Sequence, residues 1–503
     1  MKITSSRISQ LIFLAIFLVL FVNTEYRGKD EISAAVNSFF RADPLVAICY
    51  ILSTKTFTML IFPGILMLIF SLLLGRFFCG WICPLGAIID LITDRIKKKT
   101  LPLKFLKTTL KYYLLFTLLF TALFNINTAG ILDPIGILLR ALTFFFYPLF
   151  GHLVKSGWAG LYSTIGDSRD HIDFIYAFLR DYILPFRDTL YPLAFISFLI
   201  FALIIFLERY EKRNWCKNLC PLGTLLGLSS RFSLFRRLPG KLCADCGECK
   251  NICPTAFEQD VFQKENCILC MDCKLKCNFK RVRFPSVFKH KAVKGKAPAV
   301  PGRRVFVGSL LSGFFFAKAF AFQPPQKQER LLRPPGAQKE GDFLKKCVRC
   351  GECMKVCLRS ALYPDLFKSG FYGMFTPVFI PRLGYCEYNC NLCGQVCPTG
   401  AIPNLPPDEK KKAVMGSAVF DKNICLPYAK KINCIVCEEH CPVPGKAIKF
   451  ELSEERDYTG KKVTLKKPYI ADDLCIGCGI CENKCPLEGK AGIEVFAKVK
   501  KRS

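Results

Sequence analysis

The sequence predicts a membrane α-helical bundle joined to small, cysteine-rich α+β domains. Three observations support this fold class. Hydrophobic residues make up 51% of the 503 positions, and they crowd into residues 1–210. Most of the 29 cysteines come later, in tight runs. The net charge of +31 follows the loops around the apolar segments, as the positive-inside rule requires of a membrane protein, so no nucleic-acid partner is expected.

Four apolar segments are long enough, or nearly so, to cross a bilayer, which takes about 20 residues. They are residues 8–22, 57–75, 108–125 and 190–207. Basic residues follow the second and fourth segments, which places these loops and the N-terminus on the cytoplasmic side of an inner membrane. Residues 131–150 are also apolar but carry charges and prolines, so we expect them to be re-entrant or interfacial.

A basic region separates the two halves of the chain. Arg303 and Arg304 precede an apolar stretch and small residues around Ala319, a pattern typical of a twin-arginine export signal. A short fifth span and a stretch docked on the membrane are the alternatives. The predicted domains are a membrane domain (1–237), a cysteine-rich domain (238–290), a basic linker (291–342) and a second cysteine-rich domain (343–503).

The cysteine runs at 238–290 have the spacing C-x2-C-x2-C-x3-C, which is typical of bacterial ferredoxins with two [4Fe-4S] clusters. In such folds the fourth cysteine of each run ligates the other cluster. One cluster is therefore expected on Cys243, Cys246, Cys249 and Cys277, and its partner on Cys267, Cys270, Cys273 and Cys253. Zinc fits less well, because zinc sites usually use two separated pairs of ligands.

Residues 343–503 hold four more runs, enough for four further clusters. We expect nested pairing, in which the first run shares with the fourth and the second with the third; sequential pairing is the alternative. The nested groups are Cys347, Cys350, Cys353 and Cys485; Cys475, Cys478, Cys481 and Cys357; Cys386, Cys390, Cys393 and Cys441; and Cys425, Cys434, Cys437 and Cys397. Six clusters favour a conduction path over a purely structural role.

A second cysteine motif, C-x3-C-P-L-G, occurs once in each half of the membrane domain. Its thiols are Cys79, Cys83, Cys216 and Cys220. The duplication predicts a shared redox or quinol-linked site, which could ligate a metal or cluster, act through redox thiols or line a quinone pocket. The alternative is a pair of buried turns with proline at a helix start. Cys49 is expected to be a small buried residue.

The sequence indicates no haem, flavin or nucleotide, because it contains neither C-x-x-C-H nor a glycine-rich nucleotide fingerprint. Membrane quinol is therefore the expected electron donor. In these motifs residues 1–290 resemble NapH-type membrane ferredoxins, a group that includes MauN. Residues 303–503 resemble NapG-type, MauM-like ferredoxins with four cysteine runs. The chain looks like a fusion of the two, in which cleavage near Ala319 would split the protein.

The resemblance implies electron transfer from the quinol pool to a periplasmic oxidoreductase of the nitrate reductase type, or to a cytochrome c. Residues 238–290 would then be cytoplasmic and residues 343–503 periplasmic. Whether the chain is itself a quinol dehydrogenase stays open. One alternative is a maturation factor that supplies electrons to a metal centre in a partner, with the C-x3-C-P thiols as working groups. Another places all six clusters on the cytoplasmic side, in a subunit that accepts electrons.

Overall fold

The structure is a computed structural model. It describes residues 4–28, 30–93, 109–164, 170–235, 237, 246–258, 261–277, 282–284, 303–321, 330–366, 368–456, 460 and 462–497. Cys243, the basic loop residues 95–107 and linker residues 322–329 lie outside this description.

The N-terminal part is a bundle of thirteen helices among the described residues. They are α1 Ser5–Asn23, α2 Asn37–Arg41, α3 Pro44–Thr54, α4 Phe62–Leu74, α5 Phe77–Trp81, α6 Pro84–Thr93, α7 Leu110–Leu123, α8 Ala129–Leu132, α9 Pro134–Ala141, α10 Tyr147–Thr164, α11 Asp170–Tyr182, α12 Ala194–Leu207 and α13 Pro221–Ser229. Two π-helical turns, Leu142–Phe146 and Trp215–Leu219, interrupt the regular geometry.

Among the residues that the structure describes, two helical stretches are long and apolar enough to cross a membrane: Ser5–Asn23 and Pro134–Ser163. The first matches the first predicted span. The other three predicted spans form the shorter apolar helices α4, α7 and α12, so a four-span bundle is not confirmed. Residues 131–150, which we expected not to span, fall largely within the second stretch. Their prolines do not break it, because Pro134 begins a helix capped by Asp133 and Pro148 follows the π-helical turn.

The bundle contains an internal repeat. Asp43 caps α3 through the backbone N–H of Leu45, and Asp133 caps α9 through that of Gly136, both at 2.7 Å. α3 precedes the apolar helix α4, and α9 precedes the apolar helix α12 with α10 and α11 inserted between them. Each apolar helix is followed by one C-x3-C-P motif with its own helix (α6 or α13). The repeat explains why the two cysteine motifs occupy equivalent places in the fold.

Apart from one long helix and one long hairpin, the remaining elements are short. The first cysteine-rich domain has α14 Glu248–Ile252, β1 Phe257–Glu258, β2 Val261–Phe262 and α15 Asp272–Leu275, and α16 Arg303–Ala321 follows it. The second domain has α17 Glu340–Lys346, α18 Glu352–Lys355, β3 Leu362–Pro364, β4 Pro377–Phe379, α19 Leu392–Gln395, α20 Pro407–Lys412, β5 Ser417–Phe420, α21 Leu426–Ala429, α22 Val436–Glu439, β6 Ile448–Arg456, β7 Lys462–Ile470, α23 Ile480–Lys484 and β8 Ile493–Phe496. Its strands pair antiparallel as β3–β4, β5–β8 and β6–β7.

The two cysteine-rich domains lie at opposite ends of the bundle. In the first turn of α7, Lys111 Nζ donates to Asn266 Oδ1 of the first domain at 2.7 Å. Just beyond the last turn of α7, Asn127 Nδ2 donates to the carbonyl of Lys345 in the second domain at 3.2 Å. α7 therefore connects the two ends.

α16 lies along α7 and runs parallel to it. Phe306 contacts Phe116 near the start of α7, and Phe314 contacts Phe124 beyond its end. The Thr117 and Ser312 hydroxyls are hydrogen-bonded at 2.8 Å midway. The stretch predicted as an export signal or fifth span is thus a helix of the bundle, and it carries the chain from one cysteine-rich end to the other.

Candidate iron–sulfur sites

Three of the regular cysteine runs share one backbone conformation. In each, the residues on both sides of the second cysteine have positive φ. These pairs are Leu269 and Met271, Arg349 and Gly351, and Gly477 and Gly479. Two left-handed residues so close together curl the chain, which lets three thiols face a common centre. Glycine occupies three of the six positions because it has no Cβ to strain there.

In the second domain, consecutive runs share their fourth cysteines. One cavity of about 400 Å³ is lined by Cys357, Cys386, Cys390 and Cys393. A second group consists of Cys397 with Cys347, Cys350 and Cys353, whose thiols lie close enough to one another for their charges to interact. The antiparallel pair β3–β4 lies between these two runs in sequence and folds them together.

The last two runs are paired in the same way. One cavity, of about 360 Å³, is lined by Cys441, Cys475, Cys478 and Cys481. Another, of about 350 Å³, is lined by Cys425, Cys434, Cys437 and Cys485. The long hairpin β6–β7 brings these runs together. The nested pairing predicted from the sequence is therefore wrong, and the sequential alternative describes the structure.

In the first domain, Cys253 lies among Cys267, Cys270 and Cys273, which is the grouping expected from the sequence. Cys246, Cys249 and Cys277 are also described, whereas Cys243 is not. Cys270 packs against the same apolar core that holds the C-x3-C-P thiols.

Each cysteine group of the second domain supplies the four thiols that a [4Fe-4S] cluster requires. The fourth sulfurs also accept backbone N–H groups: Ala361 donates to Cys357 at 3.2 Å and Gly492 to Cys485 at 3.3 Å. Such hydrogen bonds suit a thiolate and tune cluster potentials.

Burial raises the pKa of several of the cluster-binding thiols in the metal-free protein. The pKa of Cys390 and that of Cys425 rise to about 11, and that of Cys437 rises to about 12. These three thiols are therefore protonated at neutral pH when no metal is bound. Metal ligands must be deprotonated, so cluster binding would release protons.

The four C-x3-C-P thiols converge in the core of the bundle. Cys79, Cys83, Cys216 and Cys220 are each no more than 6% exposed and belong to one apolar cluster. Each proline begins the helix that follows its second cysteine. Backbone N–H groups point at two of the sulfurs, with Gly86 donating to Cys83 at 3.5 Å and Gly223 to Cys220 at 3.3 Å. Cys49 is buried in the same core, as expected.

Two buried arginines bind the motifs to each other, and sequence reasoning missed them. Arg76 Nη2 donates to the carbonyl of Cys216 at 2.7 Å, and Arg213 Nη1 to that of Cys79 at 2.8 Å. Each arginine stands three residues before a motif, so the full repeat is R-x2-C-x3-C-P-L-G, a signal that could have been found. The glycine of the motif is needed for packing, because a Cβ on Gly223 would overlap the Arg76 guanidinium.

The arginines differ in their partners. Arg213 forms an ion pair with Asp90 at 2.6 Å. Arg76 forms no ion pair with a carboxylate anywhere in the described chain, and its Nε lies 3.4 Å from Cys79 Sγ. A fully buried cation without an anion is costly. The group of thiols beside Arg76 is the place where negative charge is needed.

Two family models match the chain. The model described as "4Fe-4S binding domain" matches residues 56–102 and 190–241, so each matched segment holds one C-x3-C-P motif. The model described as "4Fe-4S dicluster domain" matches residues 346–401, which include both runs that share Cys357 and Cys397. No solved structure matches the chain.

Curated relatives cover about a third of the chain. The methylamine utilization ferredoxin-type protein MauM of Methylobacillus flagellatus is 38% identical over 29% of this chain and 62% of its own length, so the chain spans less than two thirds of that relative. MauM of Paracoccus denitrificans is 38% identical over 33% of this chain and 73% of its own. The ferredoxin-type protein NapG of Escherichia coli is 36% identical over 35% of this chain and 77% of its own. The chain therefore belongs to the MauM/NapG family of ferredoxin-type proteins and contains 4Fe-4S binding domains.

Proposed function

We propose that this chain is a membrane-bound polyferredoxin that transfers electrons from quinol to a periplasmic oxidoreductase of the nitrate reductase type. In this proposal a NapH-like membrane half is fused to a NapG-like half. The observation that carries it is the arrangement of the cysteines: a cysteine-rich domain at each end of a helical bundle, and four converging thiols in the bundle itself. A soluble ferredoxin needs no such bundle.

The dimensions of the bundle favour a path across a membrane. α1 has 19 residues and is about 28 Å long, close to the thickness of a hydrocarbon core. Its first turn contacts the C-x3-C-P end, where Ser6 Oγ donates to the carbonyl of Gly80 at 2.9 Å. Just beyond its last turn, Thr24 accepts from Lys355 Nζ of the second domain at 2.8 Å. We therefore propose that residues 238–290 are cytoplasmic and residues 343–503 periplasmic.

The four C-x3-C-P thiols lie at the end of the bundle beside the first cysteine-rich domain, and we propose that they carry electrons between that domain and the bundle. We assign to them a seventh [4Fe-4S] cluster, in addition to six held by the sequential groups and by the two groups of the first domain. An oxidised cubane with four thiolates carries two net negative charges. Arg76, which forms no ion pair with a carboxylate among the described residues, is a buried cation beside it, whereas Arg213 is already paired with Asp90. Gly80 is in direct contact with Ile268, two residues before Cys270, so this site adjoins the first domain.

Burial of the four thiols bears on the alternative function. A maturation factor that uses these thiols to reduce or transfer a metal needs a partner to reach them. None is more than 6% exposed, and a π-helical turn and two helix starts enclose them. Permanent ligation therefore has more support than exchange with a partner.

The experiment that tests the function is anaerobic reduction of the purified, cluster-loaded protein by a menaquinol analogue, followed by EPR and iron counting. Seven cubanes require about 28 irons per chain and six require about 24. We expect the higher count, a loss of about four irons in Cys79→Ser/Cys216→Ser, and cluster reduction by the quinol analogue. Full iron content with no reduction, even when an electron-accepting partner fraction is present, would contradict the quinol-dependent function.

A further inference from the structure

A cleft lies where the end of α1 and the start of α10 meet the second cysteine-rich domain. It opens to solvent, and its volume of about 440 Å³ includes the space at the open mouth. The residues that matter for its chemistry are Glu25, Tyr26, Thr143, Phe186, Tyr191 and Cys357. The mechanism outlined above uses none of these except Cys357.

The cleft holds a buried carboxylate. Glu25 is 8% exposed and accepts hydrogen bonds from the Tyr147 hydroxyl and, at 2.6 Å, from the backbone N–H of Phe186. Lys355 Nζ lies 3.6 Å from the same carboxylate. These contacts fix the position of a hydrogen-bond and proton acceptor at the wall of the cleft.

A buried hydroxyl also lines the cleft. Thr143 is 2% exposed, and its Oγ1 has no hydrogen-bond partner among the described residues. It lies in the π-helical turn Leu142–Phe146. Buried hydroxyls are normally paired, and π-helical turns occur frequently at functional sites. A ligand with a polar oxygen would satisfy this group.

The other walls are aromatic. Tyr26 and Phe186 meet edge to face with ring centroids 5.3 Å apart, and Tyr191 packs on Phe144 at 4.9 Å. Beside the cleft, Leu190 is 89% exposed just before α12. Aromatic walls favour contact with a planar ring. The exposed apolar surface at the helix ends suits a ligand with an apolar tail that reaches the site from a bilayer.

Cys357 lines both this cleft and the neighbouring cysteine cavity. A molecule in the cleft therefore touches a cluster-binding cysteine directly. We propose that this cleft binds the head group of a quinol, with the Glu25 carboxylate and the Thr143 hydroxyl as its polar partners; this inference rests on the proposed function. It places quinol at the end of the bundle that carries the four-run domain.

Oxidation of a quinol to a quinone breaks two O–H bonds and releases two protons and two electrons. Glu25 is placed to accept one proton, and the other leaves to water at the open side. The [4Fe-4S] clusters, when bound, supply the one-electron acceptors.

The test is photoaffinity labelling of the full-length, cluster-loaded protein with an azidoquinone, combined with affinity measurements for the same probe in the dark. We expect the label in peptides that contain Glu25, Phe186 or Cys357. We expect Glu25→Gln to weaken binding about tenfold or more, because it removes a charged acceptor, and Thr143→Val to weaken it several-fold. Thr93→Val is the matched control: it is a buried helical threonine at the opposite end that bonds only its own helix, to Ile89.

The labelling and affinity measurements either support the quinol site in this cleft or contradict it. Label confined to other peptides, or equal affinity of Glu25→Gln, Thr143→Val and the unchanged protein with iron content intact, would overturn this site. If quinol still reduced the clusters in that case, the proposed function would stand without the site. Absence of both probe binding and quinol reduction would remove the function as well.

Discussion

The Arg76 guanidinium donates a hydrogen bond to the backbone carbonyl of Cys216, 140 residues further along the chain. Arg213, in the other half of the repeat, donates a hydrogen bond to the backbone carbonyl of Cys79. Each half of the bundle thus supplies the cation that holds the cysteine loop of the other half. The four thiols can form one site only while both halves are folded together.

Arg213 also forms a buried ion pair with Asp90, whose contribution to stability can be measured. The Arg213 side chain is 1% exposed and that of Asp90 is 22% exposed. Breaking a buried pair by removing one partner costs about 3–5 kcal/mol, because the other charge remains. We expect Arg213→Met to lower the thermal midpoint in detergent strongly, and Arg213→Met/Asp90→Leu to recover part of the loss. A double variant no more stable than the single one would show that the pair itself contributes little.

Sequential cluster pairing can be tested by counting iron in double variants. Cys357→Ala/Cys390→Ala removes two ligands of one cluster, so about four irons should be lost, as in Cys357→Ala alone. Cys357→Ala/Cys478→Ala removes ligands of two clusters, so about eight should be lost. Nested pairing predicts the reverse pattern. The comparison is internally controlled, since both double variants remove two thiols.

Gly130 sets how closely the bundle approaches the second domain. A Cβ at this position would overlap the carbonyl oxygen of Val348. Such overpacking costs about 1–3 kcal/mol, so Gly130→Ala should lower the thermal midpoint and expose the domain junction to protease. Gly157→Ala is the matched control, because nothing lies within 4 Å of its Cβ and alanine in an exposed helix is favoured by about 0.5–1 kcal/mol. Equal effects of both changes would contradict tight docking at Gly130.

The packing of α16 on α7 predicts that the chain is not cut near Ala319. Phe306 and Phe314 contact α7 and the residue after it, and Thr117 bonds Ser312, so α16 is a structural member of the bundle. We expect denaturing electrophoresis of membranes to show one chain of about 56.9 kDa that carries both terminal tags. Two fragments, each with one tag, would show that the segment is removed as a signal.

Cluster binding by the cysteine runs can be predicted from the amino-acid sequence alone. Cysteines two residues apart must face a common centre, and this constraint is local, so cluster binding follows from spacing alone. The C-x3-C-P repeat likewise indicated a shared site. Helix positions were also readable from apolar runs, although α4, α7 and α12 proved shorter than the spans predicted around them.

Contacts between residues that are far apart in the sequence depend on the tertiary structure. The partner of Cys357 depends on the antiparallel pairing of β3 with β4, and no spacing rule encodes that. Arg76 reaches Cys216 only because the two halves of the bundle pack face to face. Glu25, Thr143 and Cys357 belong to three separate segments and share a cleft for the same reason. Local spacing fixes which atoms can bind a cluster, whereas long-range packing fixes which of them surround the same one.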